Sequence, residues 1–592
     1  MPNRSDVDRG DTWDLSTLFS SDKEWEEALR EYEQKAEAAA GFRGTLGTSA
    51  EHLADYLDFA KDLDMREERL FSYSDLRETE DEGDNNARVM AGRILMVSAK
   101  HEAALSWAAP ELQALPDEVM ARFLLHPRIK DEYQVYLRKL LRYKPHILSD
   151  KEERLLALFR EGEQASSGAF SLLTNVDMDF GSLDTPEGPR PLSQSTWSVF
   201  MESPDRDLRR RAYTAFYRQF ERHKHTLAAL YGASVKQDAI HARVRGFSSS
   251  RAAHLFPDNV PEEVYDNLVA TVHDNLAPLH EYYRRRKQDL KVDTLRHYDV
   301  YARPPARALP RTTWNQAVDL ITEALSPLGS EYVDTLRAGL LGRWADRYEN
   351  KGKRSGAFSS GSYCGAPYIL MNYKEDSLRD VFTLAHEAGH SMHSWYSARS
   401  NPFPHYRYTI FEAEVASTFN EELLFRYWVS RAESAELRAF LVQKHADNLA
   451  ATLYRQVMFA EFESLTHALE ERGVPLTLEV LRAEYRRLLE KYFGPEMVLE
   501  EESDLECLRI PHFYRAFYVY KYATGISAAL ALADRVLGGG KAERDDYFTF
   551  LKSGGSCFPL ESLKRAGVDM TTPAPVAAAA AAVSISVPQS GS

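Results

Sequence analysis

Cysteine is scarce. The 592 residues contain three, Cys364, Cys507 and Cys557. Their spacing makes no metal motif, and an odd, sparse set excludes a disulfide framework and suits a reducing compartment. Positive charge is also short: 73 Lys and Arg against 89 Asp and Glu leave a formal net charge of −16. That balance argues against nucleic-acid binding, which needs a basic surface, and favours solubility. The basic clusters that do occur, Arg209–Arg211 and Arg284–Lys287, read as solvated helix faces. No apolar run reaches the 18 residues of a membrane span; the richest, Val576–Val583, is short and mostly alanine. Residues Met1–Asp11 are polar and lack an apolar signal core. A cytoplasmic protein without membrane or nucleic-acid partners is therefore expected. Alternating β-branched runs are few, and no internal repeat stands out.

What is present is the composition of a large globular protein, 44% hydrophobic and 27% charged, in a chain long enough for more than one lobe. Segments rich in Leu, Ala, Glu and Arg predict helices from Trp25 and over Ala50–Glu78, Asn86–Trp107 and Asp150–Gln164. Strands are expected at Val176–Phe180, His297–Tyr301 and Ala366–Asn372. Turn chemistry breaks the chain at Leu183–Pro191 and at Ala302–Pro305. The resulting division is an N-terminal helical lobe over residues 1–188, a catalytic region over 189–570, and a disordered tail over 571–592, where Pro573, Pro575 and an alanine run leave no apolar face.

The most informative stretch is His386-Glu387-Ala388-Gly389-His390. On a helix, positions i and i+4 share a face, so both imidazoles can address one ion. Two neutral His suit Zn²⁺ and leave room for a third protein ligand and a water, from which Glu387 can take a proton. Apolar positions at helical spacing from Leu378 to Met392 set the motif in an amphipathic helix of about Ser377–Ser397, ended by Pro402 and Pro404. Positions 393 and 396 are His and Tyr, so the class that continues with Gly and a third His is excluded. The alternative is a Glu from a following helix. Phe411, Val415 and Phe419 mark such a helix, on which Glu414 is the candidate ligand and Glu421 a partner for the far ring nitrogen of a liganding His. Glu412 and Glu422 are read as solvated. His393, one turn past His390, is read as a supporting or packing residue rather than a ligand.

These two segments together, His386–Ser394 and Phe411–Glu421, resemble the oligoendopeptidase F branch of the thimet-oligopeptidase family of zinc peptidases. Asp11–Phe19, Gly361–Tyr373 and Ile510–Gly525 resemble further stretches of the family, so the likeness runs from about Asp11 to Met570. Two departures stand out: the tail after Thr571, and Cys557 where the family usually has another residue. The resemblance implies a mainly α fold: a large helical bundle enclosing a peptide channel, with a small β-sheet beside a zinc helix of the two-His-plus-Glu type. It implies one Zn²⁺ per chain on His386, His390 and Glu414, with Glu387 as general base. It implies oligopeptide substrates cleaved at internal bonds, and oxyanion donors from the segment of His512, Tyr514, Tyr518, Tyr520 and Tyr522, among which His512 and Tyr520 are preferred. Gly365, Ala366 and Tyr368 are expected to meet the substrate, the strand at Ala366–Asn372 pairing with an extended peptide. A monomer or weak homo-oligomer is expected. Trimming of chain ends, or a non-enzymatic peptide-binding shell, are the alternatives; an intact Glu387 argues against the second.

Overall fold

A computed structural model describes residues 1–302 and 311–585. Of the turn expected at Ala302–Pro305, all but Ala302 lies outside the described residues, as do the last seven residues of the tail. Among the described residues the fold is mainly helical, with three small sheets. The chain forms two compact units, each assembled from three segments: residues 1–145, 310–431 and 532–568 in one, 146–309, 432–531 and 569–592 in the other. This partition replaces the expected boundary near residue 188. The Pro- and Gly-rich stretch there is no linker; it is an antiparallel hairpin of Ser182–Thr185 with Gly188–Pro191, turned at Pro186 and Glu187, with Gly188 leaving the turn at φ of 111°.

The first unit is built on the antiparallel pair Ala50–Glu80 and Asn85–Leu105. Asp84 caps the second of these through the Asn86 and Ala87 amides. Their apolar faces close over Trp13, Leu18, Phe19 and Trp25 from the N-terminal segment, and over Tyr368 and Leu370. The latter two belong to a three-stranded sheet in which Tyr368–Leu370 is central, parallel to Ala345–Asp346 and antiparallel to Phe358–Ser360. Both edges of that strand are taken, so it cannot add a peptide strand as expected. Among the described residues, the strands at the two edges of this sheet are Ala345–Asp346 and Phe358–Ser360. Beside the sheet runs the first helix of the metal motif, Leu378–Ser400, and on that helix packs the second, Ile410–Ser430.

The second unit is organised around the 39-residue helix Arg206–Val244, packed on Gln456–Glu471 and Leu478–Phe493. Two expected strands are absent from it. Leu173–Asp177 is a π-type turn, and His297–Asp299 a short 3₁₀ turn that follows the two-residue strand Leu295–Arg296. Nor are the basic clusters wholly solvated. Arg209 is buried, bonded to Asp299 at 2.7 Å and to the Ser203 carbonyl, and Arg286 is buried against Asp447 and the Ala302 carbonyl. Each is a charge taken out of water only because it is paired.

The tail is the clearest correction. Ala574–Ile585 is a helix packed on Ala277–Asp289, Ala435–Leu449 and Glu262–Asp274, with Val576, Ala579, Ala580 and Val583 buried. Pro573 and Pro575 fall at its start, where a missing N–H costs nothing. The alanines have the highest helix propensity and let the helix lie close in its groove. A stripe too small to read as an apolar face is wide enough for a close-fitting one.

Candidate metal centre

Leu378–Ser400 is helical through the motif, so His386 and His390 sit one turn apart on one face. Their Nε2 atoms are 3.2 Å apart. The helix Ile410–Ser430 crosses beside it, opened by a capping box of Thr409 and Glu412. It brings Glu414 Oε2 to 3.5 Å from His386 Nε2. The approach needs Gly389. A Cβ there would lie 2.5 Å from the Ala416 carbonyl oxygen and 2.6 Å from the Ser417 Cα. Asn420 fixes the register, donating from Nδ2 to the Ala385 carbonyl while Oδ1 accepts the Tyr332 hydroxyl.

Other groups set the tautomers. Glu421 Oε1 lies 2.7 Å from His386 Nδ1, so that nitrogen donates and Nε2 keeps its lone pair. His390 is bonded in turn to the backbone of Ala413. Ser417 donates to Glu414 Oε2 at 3.4 Å. The result is two imidazole lone pairs and a carboxylate oxygen, all within 4.8 Å of one another. Three acceptors facing one point repel unless a cation lies between them. The donor set of two nitrogens and one oxygen is that of a hydrolytic zinc site, so the residues fit the metal that the sequence implies.

Electrostatics agree with that reading. Burial disfavours the charged form of His386, but the hydrogen bond and charge of Glu421, with Glu387 and Glu414 nearby, raise its pKa to about 9. Burial and the neighbouring His386 push His390 down to about 3. One cation, a proton or a metal, is thus strongly attracted to this cluster and a second is refused. Glu387 is buried, which raises its carboxyl to about 7; His386 opposes the rise, Glu414 and Glu421 add to it, and the Ser359 backbone opposes it.

The comparisons with known proteins bear on the same residues. Residues 199–582 match the model of peptidase family M3, and residues 111–180 that of oligopeptidase F. The chain belongs to peptidase family M3. It is 40% identical to oligopeptidase PepF of Bacillus subtilis over 98% of this chain and 86% of the relative. It is 39% identical to an oligoendopeptidase F homolog of Borreliella burgdorferi, over 97% of each. Among solved structures, a putative peptidase from Chlamydophila abortus superposes with a TM-score of 0.92 at 36% identity, covering 99% of this chain and 98% of that one. The oligoendopeptidase-F of Enterococcus faecium gives 0.74 at 32%, covering 95% and 98%. The fold is accordingly that of the M3 peptidases, and the chain is a metalloendopeptidase of a metal-dependent family.

Other residues expected at the M3 site fall into two groups. His393 is buried, stacked on Tyr408 at 3.6 Å between centroids and beside Phe550; it packs under the helix, outside the set of His386, His390 and Glu414. Glu412 is not solvated. It accepts from Ser562 and from the Thr409 amide, and burial raises its carboxyl to about 7. Glu422 is likewise buried, paired with Arg426 at 2.6 Å. Both face other helices because the helix Ile410–Ser430 is covered on more sides than its apolar stripe shows. Tyr368 is 0% exposed and hydrogen-bonded to Thr17 and the Asp14 carbonyl, with Trp13 edge-on to its ring; it is core, not substrate contact. Gly365 is packed tightly too, with Ser362, Leu18 and Tyr368 within 3.2 Å of where a Cβ would stand, and Ala366 lies against the same core.

The segment from His512 lies in the second unit. Tyr520 is 0% exposed, against Tyr265, which removes it from the accessible donors. Tyr514 stacks on Phe170 at 4.5 Å. His512, Tyr518 and Tyr522 are half-buried and mutually in contact, with centroids 5.4 to 6.2 Å apart. Sequence reasoning missed Gly389 and Asn420. For Gly389 a signal existed: glycine inside a helix costs about 1 kcal/mol against alanine, so one placed between two ligands implies a close neighbour. For Asn420 no local signal existed.

Proposed function

We propose that this M3 chain is a zinc-dependent oligoendopeptidase: it hydrolyses internal bonds of short, unfolded oligopeptides, with one Zn²⁺ held by His386, His390 and Glu414. The observation that carries the reading is the convergence of those three acceptors beside a buried carboxyl, Glu387, poised near neutrality. Zinc, when bound, supplies a Lewis acid that polarises the scissile carbonyl and makes water acidic. Glu387 accepts the proton of the attacking water and returns it to the leaving amine. Burial favours the protonated carboxyl, which helps Glu387 hold the proton between the two transfers. Glu421 keeps His386 in the tautomer that leaves Nε2 free. By the family resemblance, His512 with Tyr518 and Tyr522, in place of the buried Tyr520, donates to the developing oxyanion. The edge strand Phe358–Ser360, which lies on the side of the metal helix, rather than Ala366–Asn372, pairs with the extended substrate. The names of the curated relatives support oligopeptides as the substrate class.

The test uses a peptide blocked at both ends, assayed with wild type and with Glu387→Gln. Wild type should cleave it internally and lose that activity to a chelator. Glu387→Gln should keep its zinc and its fold and lose at least about 100-fold in kcat, the low end for removing a general base. Near-normal turnover by the variant would overturn the assignment, and cleavage restricted to free ends would replace the endopeptidase by an exopeptidase.

A further inference from the structure

Three non-glycine residues among those described have positive φ: Asn259, Lys291 and Phe517. The first is a residue type that tolerates that region, but a bulky aromatic there is strained. Phe517, at φ of 55°, lies inside the segment His512–Tyr522. It sits between the 3₁₀ turn Pro511–Tyr514, which carries His512, and the helix from Tyr520, which carries Tyr522. The left-handed turn reverses the chain there. Tyr518, the next residue, returns to lie parallel to His512, with 19° between the rings, and edge-on to Tyr522. A strained residue persists only where its surroundings over-determine it, and such residues cluster at functional sites.

Two features hold Phe517. Its ring is buried against His467 at 4.7 Å, His254 at 5.5 Å and Tyr265 at 5.9 Å. Its amide N–H donates to Oε1 of Glu463, at 3.2 Å. Glu463 is 0% exposed, on the helix Gln456–Glu471, and its Oε2 has no hydrogen-bond partner among the described residues. A buried carboxyl that bonds one backbone amide and nothing else is a poor source of stability. Its single bond goes to the one residue whose conformation aims Tyr518 at His512.

We infer that Glu463 is a positioning residue: as a hydrogen-bond acceptor it holds Phe517 in the left-handed turn, and through that turn sets the His512, Tyr518 and Tyr522 cluster. The inference rests on the proposed reading of that cluster as the oxyanion donors. Burial, with Asp238 adding, pushes the Glu463 carboxyl well above its ordinary range and so favours its neutral form. An amide can therefore replace it. Glu463→Gln retains an acceptor of the same shape, and Glu463→Leu retains only the volume.

The experiment compares the two variants in the full-length zinc enzyme. Glu463→Leu should lose 10-fold or more in kcat with KM within threefold, because a donor cluster acts chiefly in the transition state. Zinc content and melting temperature should stay near wild type, and Glu463→Gln should restore kcat. Wild-type kcat in Glu463→Leu, or an equal loss in Glu463→Gln, overturns the inference. Amide hydrogen exchange of residues 512–522 gives a readout that needs no activity. Protection should fall in Glu463→Leu and be retained in Glu463→Gln; unchanged protection in Glu463→Leu overturns the inference even if wild type proves not to be a peptidase. A wild type without chelator-sensitive cleavage overturns the functional reading alone. Should Glu463→Leu not fold, Phe517→Gly and Phe517→Ala carry the test. Both lose the ring, but only glycine takes positive φ freely, so the Gly variant should exceed the Ala variant in kcat by about fivefold or more. Equal values overturn the inference.

Discussion

Two buried polar regions of this molecule are wired in opposite ways. At the metal motif, the Nε2 atoms of His386 and His390 and an oxygen of Glu414 face one another, acceptor against acceptor. Around Glu506, in the other unit, donors and acceptors alternate. Arg455 donates to Oε2 of Glu506 at 2.6 Å, Tyr485 donates to the same oxygen at 2.8 Å, and Arg509 donates to Oε1 at 2.9 Å. Tyr213, His297 and Ser503 close a second set nearby, each about 3 Å from the others. The second region satisfies every carboxylate oxygen and leaves over a donor, Arg509 Nε, not an acceptor, so it has no place for a cation. The first is short of one cation. Burial and charge density alone do not mark a site, since both regions have them; an unbalanced count of donors and acceptors does.

The largest effect expected from this contrast is on stability. Glu506→Ala strands Arg455 and Arg509 in the core, and breaking one partner of a buried pair costs about 3–5 kcal/mol. Burial opposes the charged form of Glu506, yet Arg455 and Arg509 hold its carboxyl far below the usual range, so it is ionised throughout the working pH range. Denaturant unfolding should show that loss, with zinc stoichiometry unchanged in whatever fraction remains folded. A loss under 1 kcal/mol would mean that the network is not self-completing.

Next comes Glu414→Ala, which should do the reverse. It removes a ligand, so zinc affinity should fall by more than the roughly 10–100-fold expected for Glu421→Ala, which only orients His386. Measured in chelator, the melting temperature of Glu414→Ala should fall far less than that of Glu506→Ala, because Glu414 is only one of three carboxylates that hold the His386 proton. Competition titration that ranked Glu421→Ala as the worse ligand loss would exchange their roles.

Gly389→Ala should act on both properties. The added Cβ meets main-chain atoms of Ala416 and Ser417 inside 2.7 Å, and backbone cannot turn aside. Overpacking of this kind costs about 1–3 kcal/mol, of which about 1 kcal/mol is recovered from the better helix propensity of alanine. The helices Leu378–Ser400 and Ile410–Ser430 must part, and Glu414 moves with the second. A lower melting temperature together with weaker zinc binding is the expected result; either alone would show that the two helices are not coupled through this contact.

The metal motif was legible because its chemistry is local. Helical spacing places His386 and His390 on one face, and the Phe411, Val415 and Phe419 stripe places Glu414 on the next helix. What was illegible is tertiary. Tyr520 and Tyr518 differ by two residues and look alike in sequence, yet one is core against Tyr265 and the other is half-buried, a difference made by helices hundreds of residues distant. Tyr368 fails as a substrate contact because strands pair on both of its sides. The alanine-rich tail reads as unstructured until the groove that receives it, formed by Glu262–Asp274, Ala277–Asp289 and Ala435–Leu449, is known. The division into units was unreadable for the same reason: each unit gathers three separate segments, and turn chemistry marks bends but not returns.

The smallest effect is also the most specific test of the self-contained region. His297 is buried, bonded through Nδ1 to Tyr213 and Ser503. Burial, with Arg455, Arg509 and Arg486 opposing a second positive charge and only Glu506 favouring it, lowers its pKa to about 4. In the unfolded chain the value is the ordinary 6.5. Between those values the unfolded state binds a proton that the native state refuses, so stability rises with pH across that window. The contribution is complete above pH 6.5 and is lost as pH falls toward 4, at up to about 1.4 kcal/mol per pH unit. His297→Gln removes the titration while keeping a polar, neutral side chain. Comparing unfolding midpoints at pH 7 and pH 5, wild type should lose about 2 kcal/mol more than the variant, since groups common to both cancel. Equal losses would show that His297 accepts a proton in the native state, and the Tyr213, His297 and Ser503 set would then be open to a cation after all.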